Sequence, residues 1–116
     1  VNPEFQKALD FSKYQQTLNV KIQNLQDRAQ SNLTLGYNGG LFFVDQTLIA
    51  FVKTLIDFKR ITDVVLLDSN QKPILIADLN DFQTEILDRY FTVTNQYLEE
   101  YSQIKKQRSV EKLLDD

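Results

Sequence analysis

The sequence predicts an α+β fold in which two long helices bracket two β-hairpins and a buried central helix. Three observations predict it. The two ends carry long stretches of helical apolar spacing without an interior Gly or Pro. Two pairs of short apolar runs each flank a cluster of turn formers, Asn38-Gly39-Gly40 and Asp68-Ser69-Asn70-Gln71-Lys72. Between the hairpins lies Val44 to Phe58, apolar on nearly every side, as in a helix that is covered rather than lying on a surface.

Taken in order, Glu4 to Ser31 reads as one helix, with Asn2 as its cap and Pro3 suited to its first turn. Phe11, Leu18 and Leu25 recur every seven residues, with Ala8, Ile22 and Ala29 filling the alternate seam. Gln15 breaks the register, so the pattern is a coiled-coil-like stripe rather than a full heptad array. Leu33 to Asp45 has β-like arms around Asn38-Gly39-Gly40, residues that tolerate the positive φ of a tight turn. A phosphate-cradling loop would need a following Lys-Ser/Thr, which is absent.

In the central helix Asp45 caps the first turn, and Val44 with Ile49 forms a hydrophobic staple. Lys59 to Thr62 is a short polar link. Val64 to Leu67 and Ile74 to Ile76 are the arms of the second hairpin. About four antiparallel strands are expected, and the two hairpins could join as one sheet. The Asp68 turn imitates the opening of a calcium loop, but Pro73 stands where that loop needs Gly and Leu79 where it needs a closing carboxylate.

From Asn80, the expected cap, the chain is helical again, with an apolar face of Phe82, Ile86, Tyr90, Val93, Tyr97, Tyr101 and Ile104. That spacing repeats every eleven residues and suits a nearly straight packing. Residues 105–116 read as a frayed tail or a short amphipathic segment on a single domain spanning 1–116; Asp115 and Asp116 oppose the helix dipole, which favours fraying.

Composition narrows function by exclusion. The 116 residues hold 42% apolar and 25% charged residues, ordinary values for one globular domain. No Cys and no His are present, which removes thiolate metal sites and the commonest general base. No cofactor is therefore expected. Thr62 to Glu100 carries eight acidic residues against Lys72 and Arg89, a poor surface for a nucleic-acid backbone. Tyr90, Tyr97 and Tyr101 near Lys105, Lys106 and Arg108 could stack bases, but their helical spacing makes them core or interface first. Asp63 and Asp78 flank the second hairpin as candidate acid–base carboxylates, and with Asp68 and Asp81 as magnesium ligands; a solvated acidic face is the better reading. The longest apolar run, Leu48 to Val52, is too short for a membrane span, so the expected setting is the cytoplasm.

Helices of about 28 and 30 residues would be roughly 42 and 45 Å long, against a diameter of about 35 Å for a compact domain of this length. Both would project and offer apolar stripes to a partner. The expected function is thus non-enzymatic: a structural or interaction protein that forms a homo-oligomer through Phe11, Leu18, Ile22, Leu25, Tyr90, Tyr97 and Tyr101.

Two resemblances bear on this. EFQKALDFSKYQQTL, YNGGLFFVDQTLIAFVKTLID, DVVLLDSNQKPILI and YFTVTNQYLEEYSQIKKQRSVEKLLDD together resemble small uncharacterised proteins of contractile-tailed phages of marine cyanobacteria and related marine bacteria. The resemblance implies a phage assembly or accessory factor, in the host cytoplasm or virion, with phage or host proteins as further partners. It transfers no functional residue. DVVLLDSNQKPILI alone is similar to a hairpin of PAS-like and Cache-like sensor domains. That likeness implies the alternative function, a small-ligand sensor with its pocket between sheet and central helix.

Overall fold

A computed structural model describes residues 2–107. The order is α1 (Pro3–Asn32), β1 (Thr34–Tyr37), β2 (Gly40–Phe43), α2 (Gln46–Asp57), β3 (Thr62–Leu67), β4 (Pro73–Asp78) and α3 (Leu79–Lys106). The fold is α+β, helix–hairpin–helix–hairpin–helix, as the sequence predicts. Of the expected tail, Lys105 and Lys106 belong to α3, Gln107 follows it, and 108–116 lie outside the described residues. The chain divides into two compact units, 30–94 and a second built from 1–29 with 95–116.

The first of these units holds both hairpins and α2. Tyr37 pairs with Gly40, so Asn38 and Gly39 form a two-residue turn, and their φ angles of 50° and 82° are the left-handed pair such a turn requires. Asp45 caps α2 through its Oδ1, which accepts from the Leu48 N–H at 2.8 Å. Val44 before the cap is fully buried, and Ile49 packs on the same core.

The hairpins do not join as one sheet. They form two separate two-stranded antiparallel sheets, β1–β2 and β3–β4. Gly40 explains how they nevertheless pack: a Cβ there would lie 2.6 Å from Ile74 Cγ1 and 3.3 Å from Asp68 Cβ. The backbone of β2 thus presses side-on against residues of the second hairpin, an approach only Gly permits.

Leu35, Phe42, Val44, Val52, Leu66, Ile74, Ile76, Leu79, Phe82 and Ile86 make one core. At its centre the Phe82 ring takes Tyr37 and Phe42 edge-on, each with centroids 5.0 Å apart. Burial, and then Asp81, Glu85 and Asp78, push the Tyr37 hydroxyl above its ordinary value. The central helix is covered on one face rather than all round. Val52 is fully buried and Leu48, Ile49, Leu55 and Ile56 are partly so, while Phe51 and Phe58 stay exposed. Its apolar residues outnumber the positions two small sheets can cover.

Two helix ends differ from expectation. Asp78, not Asn80, caps α3: its Oδ1 accepts from the Asn80 N–H at 2.9 Å. The polar link after α2 is a built helix stop. Lys59 sits at φ 62°, with Arg60 N–H bonded to Leu55 O and Lys59 N–H to Ile56 O, both at 2.9 Å.

The remaining unit pairs α1 with the last part of α3. Leu18, Leu25 and Ile104 are buried, and Tyr14, Ile22, Tyr97 and Tyr101 pack around them. The Tyr14 hydroxyl donates to the Gln107 carbonyl at 2.7 Å. Asn2 caps α1, its Oδ1 accepting from the Glu4 N–H.

Candidate interaction surface

The residues expected to mediate self-association have three fates. Leu18, Ile22, Leu25, Tyr97 and Tyr101 meet one another within the chain, across α1 and α3. Tyr97 and Tyr101 stack with centroids 6.0 Å apart, and Lys105 Nζ lies 5.9 Å from the Tyr101 centroid. Tyr90 packs on the core around Phe82, and its hydroxyl accepts from Gln46 Nε2 at 3.1 Å. Phe11 alone is open, at 65% exposure. It lies three residues before Tyr14 and seven before Leu18, hence on the same side of α1, one turn past the point where Gln107 meets Tyr14.

Beside that helix pair is a cleft of about 390 Å³ lined by Lys21, Asn24, Arg28, Glu100, Gln103 and Ile104. Arg28 and Glu100 face each other at 3.6 Å, both well exposed. An ion pair so solvated contributes little to stability.

The carboxylates have structural work. Asp68, only 4% exposed, accepts three backbone N–H groups: Leu41 on Oδ2 at 3.0 Å, and Asn70 and Lys72 on Oδ1 at 2.9 and 2.8 Å. Leu41 N–H contributes most to holding the carboxyl below its ordinary value; burial opposes the shift, and the Lys72 and Asn70 amides add to it. The Leu41 carbonyl in turn accepts from Ser69 N–H at 2.8 Å, so a main-chain and a side-chain bond together tie β2 to the β3–β4 turn. Asp78 is committed to its cap. Among the described residues, no three of these carboxylates gather as metal ligands would.

The site that sequence reasoning missed is the outer face of the β3–β4 hairpin. Leu66, Ile74 and Ile76 point inward, and by alternation Val65, Leu67 and Leu75 point out, at 59%, 59% and 55% exposure. Leu41 on β2, whose backbone bonds to that hairpin's turn, is exposed as well. The available signal was the unbroken Val64-Val65-Leu66-Leu67 run: a strand covered on one face needs apolar residues only at alternate positions.

Among the described residues, no helix is long and apolar enough to cross a membrane. Comparison with protein-family models, curated proteins and solved structures gives no match.

Proposed function

We propose that this chain is a non-enzymatic structural or interaction protein that self-associates, serving as an assembly or accessory factor. The observation that carries the reading is the open apolar surface. Thirteen large hydrophobic side chains are exposed among the described residues, including Phe5, Leu9 and Phe11 along α1 and Val65, Leu67 and Leu75 on the outer face of the β3–β4 hairpin. Scattered single residues would need no explanation; groups along one helix and on one hairpin face do. The composition supports the non-enzymatic part, since His and Cys are absent and the buried carboxylate Asp68 is occupied by amides. Placement in a phage-infected cell or virion rests on the sequence resemblance alone.

Light scattering of the full chain across a dilution series tests the reading. The expected result is a mass that rises with concentration to a fixed multiple of 13.6 kDa. A constant monomer mass overturns it.

A further inference from the structure

We infer that a second copy of this chain docks on the free edge of β3, strand against identical strand and antiparallel, through the main chain of Val65 and Leu67. This rests on the self-association proposed above and names the surface that carries it.

The hydrogen-bond phase of the hairpin decides which groups are available. Asp68 N–H bonds the Lys72 carbonyl at 2.9 Å, making Asp68–Lys72 a bonded pair. Bonded and non-bonded pairs alternate along an antiparallel ladder. In the observed register Leu66–Ile74 and Val64–Ile76 are then bonded, while Leu67–Pro73 and Val65–Leu75 are not. Two facts agree with that phase. Pro73, which has no N–H, falls in a non-bonded pair. The Leu75 carbonyl points away from β3, where it accepts from Asn38 Nδ2 at 2.9 Å. On the other side of the hairpin, the N–H and C=O groups of Val65 and Leu67 therefore point outward from β3.

Nothing described covers that edge. β3 is hydrogen-bonded to β4 alone, and the hairpin reaches β2 by way of Asp68 and Ser69, beyond the strand's end. Edge strands are ordinarily guarded by a charge, a Pro or a bulge. Val64 to Leu67 has no such guard; Asp63, at φ 54°, and Thr62 stand only at the strand's start. A bare two-stranded hairpin is marginal by itself, and strand addition would make it four-stranded.

A second copy fits this edge because antiparallel pairing of a strand with itself is self-complementary about a two-fold axis. It sets Val and Leu side chains against each other on the outer face. It also places no like charges opposite one another within residues 64–67, which carry none.

The test replaces both outward side chains, Val65→Lys with Leu67→Lys, in the full chain. Both positions are more than half exposed, so the monomer fold should be retained by circular dichroism. Like charges facing across the dyad should weaken association on the order of tenfold or more. An unchanged dissociation constant overturns the β3 edge while leaving self-association intact. A wild-type chain that stays monomeric across the dilution series overturns both. Should the double variant fail to fold, amide exchange in the wild type decides: slower exchange at Val65 and Leu67 in concentrated than in dilute solution supports the inference, and equal rates overturn it.

Discussion

The Leu41 N–H donates to Oδ2 of Asp68 at 3.0 Å, across 27 residues of sequence. Through it, one carboxylate holds the edge of the first hairpin against the turn of the second. No strand-to-strand ladder joins the two sheets, so this bond, with Ser69 N–H on the Leu41 carbonyl and Asn38 Nδ2 on the Leu75 carbonyl, connects them through polar groups.

Because folding lowers the Asp68 pKa beneath its ordinary 3.8, the unfolded chain is the better proton acceptor. The stability this contributes is complete above that ordinary value and is lost as pH falls through the lower folded one. Urea midpoints of the wild type should therefore drop more steeply below about pH 4 than those of Asp68→Asn. At neutral pH Asp68→Asn should be the less stable, and by more than Asp63→Asn, whose carboxyl accepts no hydrogen bond in the described structure. Parallel acid profiles for wild type and Asp68→Asn would count against the anchoring role.

Gly40 should not tolerate a methyl group. Gly40→Ala sets a Cβ 2.6 and 2.8 Å from Ile74 Cγ1 and Cδ1 and should cost about 1–3 kcal/mol in denaturant unfolding. Gly36→Ala is the control, since a Cβ there meets nothing within 4 Å. Equal effects at the two positions would mean that β2 and the second hairpin are not in close register.

Removing the ring around which the hairpin unit is packed should be severe. Phe82 is fully buried with Tyr37 and Phe42 against it, and Phe82→Ala should cost about 3–5 kcal/mol by urea titration. A loss under about 1 kcal/mol would be inconsistent with that packing.

Lys59→Gly should go the other way. The position needs φ 62°, which a β-carbon resists, and the side chain is exposed, so the variant should gain about 0.5–1 kcal/mol. A rise in thermal midpoint without a change in helicity is the expected reading, and a fall would place the Lys59 side chain in some contact that offsets its strain.

What could be read from the sequence was local. Asp45, Asn2 and Asn38-Gly39 act on backbone groups a few residues away, so residue type and spacing suffice to place them. The heptad of Leu18 and Leu25 was equally legible, because a stripe must be covered by something. Whether its cover came from the same chain was not, since Tyr97 and Ile104 would look alike facing α1 or a stranger. The separate sheets were hidden for a related reason: Gly40 reads as a turn residue, and only its contact with Ile74 reveals the side-on approach. Lys59 misled because Gly or Asn is the usual signal for a left-handed helix stop. The open face of Val65 and Leu67 is not decided by the sequence, because an unbroken apolar run reads the same whether one face of the strand is covered or both.

The bond from Tyr14 to Gln107 has a consequence for synthesis on the ribosome. The stripe of α1 is synthesised some eighty residues ahead of Tyr97 and Ile104, its cover. At about 5–20 residues per second it stays bare for several seconds. During that interval neighbouring nascent chains and chaperones have first access to Leu18 and Leu25.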